Sequence, residues 1–481
     1  MAFSNKTIAS NMIWGYAGKF LTQAVSFIVA ITLARMLLPS QFGIVALVTV
    51  IITFFENFTS QGFNRALIQK KDVDELDYST IFVANMTLQI GLYVMVFIFA
   101  PAFASFYEMD LLCPLIRVGG LKLLISGFNS IQQAYVQRNM QGRKFFFSTL
   151  GGTLLAAIVG VVLAFQGFGA WALIISSLCN ALVDMLVLFF TIKWKPSLKF
   201  SIIRLKNMAG FGIQSVFVFL FASIYNSLRT LMIGKVYSSD DLAYYNKGEA
   251  WPLMIVSNIQ MSVTNVMFAA LSQEEQHMRI KQKTRKFFSM MFFIIAPLLA
   301  GLSFASESVI SVLLTDKWMP IQPFIIIFSI SYLTWVPLMA WNTAIEATGR
   351  EDTMLKINTI CQVSGLILLF LFIKKGTLLI AMIELFKDII NIALTYIYSR
   401  KYFDYKIKEV FLDIYKTILS VVFMGIAAWF VQKITDIMVL KLILQLTIGG
   451  MVYIASSHMM KNDNYYFSLN LVKMKVLGKS E

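Results

Sequence analysis

Long apolar stretches separated by short polar joints run along the whole chain. A helix needs about 20 mostly apolar residues to cross a bilayer core, and most of these stretches reach that length. The pattern predicts an all-α integral membrane protein with about fourteen transmembrane helices. The predicted spans are residues 13–38, 42–67, 78–104, 111–135, 145–166, 168–192, 208–236, 242–270, 287–314, 320–346, 354–373, 376–398, 411–432 and 437–460.

The joints between the spans are too short to hold a soluble domain. Gln166-Gly167-Phe168 and Lys374-Lys375-Gly376 each lead directly from one span into the next. The chain has no Gly-x-x-x-x-Gly-Lys-Ser/Thr loop, which is the usual phosphate cradle of nucleotide-binding domains. The first apolar stretch exceeds the about 7–15 residues of a signal-peptide core, so we expect an uncleaved first span.

Composition and charge support this interpretation. Of the 481 residues, 58% are hydrophobic and 14% are charged, whereas a soluble domain is about 45–50% apolar and about 25% charged. The formal net charge of +15 comes mainly from alternate joints, and the positive-inside rule then predicts that both termini are cytoplasmic. This distribution requires no nucleic-acid partner. We expect the basic run from Arg279 to Lys286 to be a solvated or headgroup-facing loop.

Two sequence echoes predict an internal duplication. Ala34 to Gly43 joins spans one and two, and the similar stretch Gly234 to Ala243 joins spans seven and eight. Gln141-Gly142-Arg143 and Thr348-Gly349-Arg350 form a second pair after spans four and ten. Six spans per repeat give two lobes of the same orientation, residues 1–206 and 207–406. Residues 407–481 then contain spans thirteen and fourteen and a cytoplasmic tail.

Ionisable residues inside the predicted spans are the candidate functional residues. Each cation costs about 2.5–3.5 kcal/mol at a helix centre, so these side chains are expected to face a water-filled cavity or one another. A positive balance suits an anionic cargo, phosphate above all. The candidate cargo-binding cations are Lys19, Arg117, Lys122, Arg229 and Lys247, and the candidates for coupling or charge balance are Glu56, Asp184, Glu249, Glu384 and Asp388. Glu384, Lys387 and Asp388 share one helix face and could neutralise one another.

Amides and aromatic residues in the spans leave two alternatives open. Asn129, Gln132, Gln133 and Gln260 could hydrogen-bond sugar hydroxyls, and Trp251 could stack on a sugar. The same residue types commonly link helices to one another. The three cysteines and two histidines lie far apart, so we predict no metal site, and we expect no cofactor.

Three stretches carry a resemblance to a known family. Ala34 to Gly43 resembles the loop after the first span of Wzx-type polysaccharide flippases, Gly62 to Asp72 resembles the end of their second span, and Gln137 to Phe145 resembles their loop after span four. These flippases form the lipopolysaccharide, colanic and teichuronic acid exporter branch of the multidrug/oligosaccharidyl-lipid/polysaccharide superfamily. The resemblance covers the whole chain.

The resemblance implies a non-enzymatic flippase in the bacterial inner membrane. Such a protein carries undecaprenyl-pyrophosphate-linked oligosaccharide across the bilayer for surface polysaccharide export, through a V-shaped cavity that alternates its opening. Lipid-linked oligosaccharide and the bilayer are the implied partners, together with a polysaccharide polymerase and the export machinery. A MATE-like multidrug exporter is the alternative, ranked lower because cations at least match the acids in the spans. A membrane glycosyltransferase or polymerase ranks lowest, because no sizeable loop is present.

Overall fold

The computed structural model describes residues 5–61, 67–68, 70, 72–274 and 276–477. These residues are almost entirely helical and contain no β-strand, which confirms the predicted all-α class. Residues 62–66, 69 and 71 lie outside the described part. Most of the motif between Gly62 and Asp72 therefore falls there.

The chain forms two compact units, residues 1–243 and 244–481. Helix α9 begins in unit 1 and continues into unit 2. The helices of unit 1 are α1 (Asn5–Met36), α2 (Pro39–Gln61), α3 (Glu75–Tyr107), α4 (Leu112–Gly119), α5 (Leu121–Arg138), α6 (Gly142–Phe165), α7 (Ala170–Thr191), α8 (Ile202–Val236) and the start of α9 (Ser239–Leu271). The extents of the lobes, predicted to end at residues 206 and 406, stay a prediction.

Unit 2 continues from α9 to a helix beyond the last predicted span. Its helices are α10 (His277–Phe304), α11 (Ser306–Leu313), α12 (Gln322–Ala347), α13 (Glu351–Phe372), α14 (Thr377–Phe403), α15 (Ile407–Gln432), α16 (Met438–Met459) and α17 (Asp463–Leu477). Short 3₁₀ segments, Asp316–Ile321 and Ile373–Lys375, precede α12 and α14. Helix α17 occupies the predicted tail, where no helix was expected.

Every predicted span coincides with one helix or with two consecutive helices. Within the described residues, eleven helical segments are long and apolar enough to cross a membrane. The other three predicted spans are α8, α9 and α14, with 35, 33 and 27 residues. Each exceeds the about 20 residues that a bilayer requires. These three helices contain Arg229, Lys247 and Lys387, and such charges lower the mean hydropathy of a span.

The structure corrects the prediction for the basic run from Arg279 to Lys286. These residues form the first turns of α10 and are not a loop. Lys281 is buried, and its Nζ lies 2.8 Å from a carboxylate oxygen of Glu409 at the start of α15. Arg285 binds Glu409 as well, at 3.0 Å. Lys281 and Arg285 therefore hold α15 against α10.

Small residues allow close packing of α6 against α7. Gly152, Ala156, Gly160 and Ala164 recur every four residues on α6, and all four are buried. A Cβ added at Gly160 would lie 3.0 Å from the Cβ of Ser176 on α7. Small residues at this spacing let membrane helices approach closely, so this stripe explains the tight α6–α7 pair.

An exposed apolar face on α16 fits a lipid environment. Val439, Ile443, Leu446 and Met451 are each more than half exposed and recur at helical spacing. A water-soluble protein rarely exposes so continuous an apolar surface. The opposite side of α16 is buried around Tyr453, which packs on Phe293 of α10. The chain is thus a multi-pass membrane protein.

The first sequence echo recurs as a structural joint. Helix α1 ends at Met36 and α2 begins at Pro39, while α8 ends at Val236 and α9 begins at Ser239. The end of α8 and the start of α9 thus each lie 200 positions after the end of α1 and the start of α2. The two joints also meet, because a Cβ at Gly43 would lie 1.8 Å from the backbone oxygen of Ser239.

The second echo recurs as a shared backbone conformation. In the α5–α6 joint, Asn139 has φ −91° and ψ 11°, and in the α12–α13 joint Thr348 has φ −89° and ψ 8°. The next residues, Met140 and Gly349, both have positive φ, 51° and 75°. Two joints with the same succession of angles are what a duplicated unit would leave.

The third residue of each of these joints completes the match. Gln141 has φ −96° and ψ 50°, and Arg350 has φ −97° and ψ 53°. Each also donates its backbone N–H to the carbonyl five residues earlier. The sequence echo had paired Gly142 with Gly349, whereas the structure pairs Gly349 with Met140. That alignment was wrong by two positions, although the joint itself recurs.

Candidate functional site

In unit 1, Lys122 and Glu56 form an ion pair between α5 and α2. The Lys122 Nζ lies 3.2 Å from Glu56 Oε2, and Ser126 donates its hydroxyl to the other carboxylate oxygen. Lys122 also lines a small cavity of about 30 Å³ with residues of α2 and α7. Its side chain remains 28% exposed. The pair thus balances both charges while the ammonium stays accessible.

Two other predicted cations of unit 1 lie elsewhere. Arg117 belongs to α4 and packs against α3, with its Cζ 4.4 Å from the ring centre of Phe97 and its Nε 3.4 Å from the Phe97 carbonyl oxygen. Lys19 is exposed on α1. The structure thus places Arg117 against α3 and Lys122 against α2.

Asp184 is the centre of a buried polar cluster in unit 1. Its Oδ2 accepts hydrogen bonds from Asn129 Nδ2 at 2.6 Å and from Gln133 Nε2 at 2.9 Å. Both amides belong to α5, whereas Asp184 belongs to α7. Of the two alternatives for the amides of span four, the structure favours links between helices for Asn129 and Gln133.

Arg229 and Lys247 lie on opposite sides of the division between the units. Arg229 is buried in α8 of unit 1. In unit 2, Lys247 Nζ lies 5.7 Å from the ring centre of Trp318, within reach of a cation–π interaction. Glu249 accepts a hydrogen bond of 3.0 Å from the Tyr332 hydroxyl.

The charged face predicted on span twelve is confirmed in part. Lys387 and Glu384 form an ion pair on α14. Asp388 is buried, and its Oδ2 accepts hydrogen bonds from Ser331 Oγ at 2.6 Å and from Trp335 Nε1 at 3.1 Å. Each of the five candidate acids therefore has a polar partner. Glu56 and Glu384 are paired with cations, whereas Asp184 and Asp388 accept hydrogen bonds from neutral groups. A coupling role for any of them stays a prediction.

A polar cavity of about 270 Å³ lies inside unit 2. Residues of α9, α12, α13 and α14 form its walls. They are Gln260, Thr264, Trp335, Leu338, Met339, Asn342, Thr343, Glu346, Asn358, Cys361, Gln362, Lys387, Asp388 and Asn391. The sequence had singled out only Gln260, Lys387 and Asp388 of this set.

The spacing of polar residues could have revealed this cavity. Asn342 and Glu346 stand four residues apart in span ten, and Asn358 and Gln362 stand four apart in span eleven. Asn391 follows Lys387 by four residues in span twelve. Residues four apart lie on one face of a helix, so three spans each carry a polar stripe.

No group of three or more His, Cys, Asp or Glu residues in the described part could hold a metal ion. The absence of a metal site and of a cofactor stays a prediction.

Comparisons with known proteins agree with this architecture. A family profile described as "Polysaccharide biosynthesis protein" matches residues 32–323. A membrane protein of the cps region of Klebsiella pneumoniae is 23% identical over 469 residues, 94% of this chain and 95% of its own. The teichuronic acid biosynthesis protein TuaB of Bacillus subtilis is 25% identical over 405 residues, 80% of each chain.

Two solved structures share the fold. The lipid II flippase MurJ in its inward closed conformation matches with a TM-score of 0.78 and 16% identity, over 94% of this chain and 99% of that one. An inward-facing multidrug resistance MATE family transporter of the MOP superfamily matches with a TM-score of 0.61 and 15% identity, over 80% and 94%. The family profile spans more than half of the sequence, and the chain therefore belongs to the polysaccharide biosynthesis protein family, with the fold of MOP superfamily transporters.

Proposed function

We propose that this protein is a flippase for undecaprenyl-pyrophosphate-linked oligosaccharide in the bacterial inner membrane. The observation that carries the proposal is membership of the polysaccharide biosynthesis family in a chain built almost wholly of membrane helices. A hydrophilic glycan made inside the cell cannot cross lipid without such a carrier. The higher TM-score to the lipid II flippase than to the MATE transporter supports a lipid-linked cargo over a drug.

The cargo chemistry assigns a task to the intramembrane cations. A pyrophosphate is strongly anionic, and the cations Lys19, Arg117, Lys122, Arg229 and Lys247 are proposed to attract it along its path. Lys122 is the best placed of these within unit 1, because its ammonium borders a cavity and stays partly exposed. Its partner Glu56 would hold the ammonium in place between transport cycles.

The remaining features follow from the same proposal. The lobes alternate the opening of a cavity, while α15 and α16 provide a surface for the lipid tail. Both termini lie in the cytoplasm, and no catalytic step is required. The surface polysaccharide served could be O-antigen, capsule or exopolysaccharide, with a polymerase receiving the flipped unit.

Variants that remove the charge of Lys122, alone or together with that of Glu56, test the role of Lys122. Lys122→Met removes the cation but also leaves Glu56 without it, so a defect alone would be ambiguous. The double variant Lys122→Met/Glu56→Met restores charge balance. We expect both variants to lose transport of the lipid-linked oligosaccharide in proteoliposomes by about tenfold, the effect of about 1.4 kcal/mol of lost interaction. Arg279→Met, on an exposed side chain, is the matched control.

The outcomes separate two roles. Recovery of transport in the double variant would show that Lys122 only neutralises Glu56, and the cationic-path mechanism would then be wrong for this residue. Normal transport by single Ala variants of all five cations would refute it entirely. Sugar transfer by the purified protein would overturn the assignment as a flippase.

A further inference from the structure

The polar cavity of unit 2 is lined by residues with acceptors that have no hydrogen-bond partner in the described part of the chain. Thr264 Oγ1, Asn342 Oδ1 and Gln362 Oε1 are buried at its wall and bind no other group of the described protein. Buried polar atoms in proteins almost always have a partner, because leaving one unpaired is costly. Each of these three side chains would satisfy its polar atom by turning it towards a molecule that enters the cavity.

Lys387 and Asp388, two of the charged residues at this cavity, are already bound to protein groups. Lys387 pairs with Glu384, and Asp388 accepts hydrogen bonds from Ser331 and Trp335. Apart from Glu346, which is exposed at the edge of the cavity, the remaining polar wall is made mostly of neutral amides and hydroxyls, which both donate and accept hydrogen bonds. Such a wall suits a neutral ligand that carries many hydroxyl groups.

The size of the cavity fits one sugar ring. Its volume is about 270 Å³. A pyranose has the bulk of roughly six water molecules, each with a share of about 30 Å³ in the liquid. The ring of Trp335 lines the same cavity and adds an apolar face of the kind on which the C–H side of a sugar packs.

The cavity is accessible from the end of unit 2 at the α12–α13 joint. Of its lining residues, Glu346 and Asn358 are exposed, and they flank this joint. The proposed topology puts the joint in the cytoplasm, where a lipid-linked oligosaccharide is loaded. A glycan could therefore reach the cavity from the loading side.

The corresponding residues of unit 1 bind each other. Gln133 and Asn342 each stand five residues before the end of their helices, α5 and α12. Asp184 and Asn391 are each the fifteenth residue of α7 and α14. In unit 1, Gln133 donates a hydrogen bond to the Oδ2 of Asp184. Among the described residues, the Oδ1 of Asn342 in unit 2 has no partner, and neither has the other carboxylate oxygen of Asp184.

We propose that the cavity between α9, α12, α13 and α14 binds one sugar ring of the glycan that the protein transports. The assignment rests on the proposed flippase function and names the part of the cargo that unit 2 recognises. Gln362, Asn342 and Thr264 hydrogen-bond the ring hydroxyls, and Trp335 covers one face. Unit 2 thereby distinguishes a carrier lipid that bears its glycan from one that does not.

Cys361 gives a direct measure of occupancy, because it lines the cavity and the chain has only three cysteines. The full-length Cys113→Ser/Cys179→Ser variant in nanodiscs would be treated with methyl methanethiosulfonate. Undecaprenyl pyrophosphate that carries the oligosaccharide of the producing cells should slow modification of Cys361 by about tenfold at saturation, equivalent to about 1.4 kcal/mol. Sugar-free undecaprenyl pyrophosphate should leave the rate unchanged.

A variant series keeps the proposal testable if Cys361 reacts too slowly. Gln362→Leu and Asn342→Leu should each weaken binding of the glycan-bearing lipid by about tenfold and leave binding of the sugar-free lipid unchanged. Gln432→Leu is the matched control, since the Gln432 amide binds the Phe304 carbonyl outside the cavity. Equal effects of the cavity variants on both lipids would overturn the sugar pocket.

The two lipids also separate this proposal from the proposed function. Binding of both lipids with the same rate of Cys361 modification would overturn the sugar pocket alone. Binding of neither lipid would overturn the flippase assignment and the pocket with it.

Discussion

Arg285 is the side chain whose removal should most weaken the attachment of α15 to α10. Its Nε and Nη2 bind the carboxylate of Asp413 at 2.9 and 2.6 Å, and its Nη1 binds Glu409 at 3.0 Å. Tyr405, in the connection before α15, donates its hydroxyl to the same carboxylate at 2.6 Å. Burial and the carboxylate raise the pKa of Tyr405, so it remains a donor across the physiological range.

The expected magnitude follows from burial and geometry. Breaking a fully buried pair costs about 3–5 kcal/mol, whereas exposed pairs contribute about 0–1 kcal/mol. Here the side chains are 31% and 12% exposed, so we expect Arg285→Met to cost about 2–3 kcal/mol. Unit 2, residues 244–481, has a size for which Tm changes by about 2–4 °C per kcal/mol, so the Tm of unit 2 should fall by about 4–12 °C.

A double-mutant cycle with Asp413→Leu checks this reasoning. Thermal unfolding in detergent at one fixed scan rate would be measured for both single variants and for the double variant. The double variant should be clearly more stable than the sum of the single effects predicts, because neither charge is left alone. Simple additivity would refute the pair as a stabilising unit. Arg279→Met, whose side chain is 64% exposed, should change Tm little.

Three further predictions concern the packing and the caps. Gly43→Ala should sharply lower the yield of folded protein, since its Cβ would lie 1.8 Å from a backbone oxygen of Ser239; a normal yield by size-exclusion chromatography would contradict the contact. Gly160→Leu should separate α6 from α7 and destabilise the protein by at least about 1–3 kcal/mol, measured by thermal unfolding. Gly450→Leu is the control, because a Cβ at Gly450 meets no described atom within 4 Å. Asp74 caps α3 by accepting the Asp77 backbone N–H, and this bond lowers the pKa of Asp74 below its ordinary 3.8. The cap therefore stabilises α3 above about pH 4, and this stabilisation is lost as pH falls through the lowered pKa. Asp74→Ala should lower the stability by about 0.5–2 kcal/mol at pH 7 but by little in strong acid, as measured by unfolding at both pH values.

The membrane helices could be predicted from the sequence, because each apolar stretch is long enough to show where a helix crosses the bilayer. Charge was less reliable as a boundary signal. The run from Arg279 to Lys286 was predicted as a loop, but α10 begins before it. Two of its cations, Lys281 and Arg285, form ion pairs with acids on α15. A pair such as Glu384 and Lys387 was predictable, since both residues lie within one helix turn. The pairing of Lys122 with Glu56 was not, because 66 residues separate the two and only the packing of α2 on α5 joins them.

The ion pair between Arg285 and Asp413 can form only late in the synthesis of the chain. Asp413 follows Arg285 by 128 residues, so Arg285 leaves the ribosome long before this acid exists. While the ninth span is being inserted, the arginine is thus an unneutralised charge, the form that the positive-inside rule requires for orientation in the proposed topology. Only when α15 has been synthesised does the same guanidinium change from a topology signal into a docking site. Variants at Arg285 therefore act at two separate times in the life of the protein, first on insertion and then on assembly.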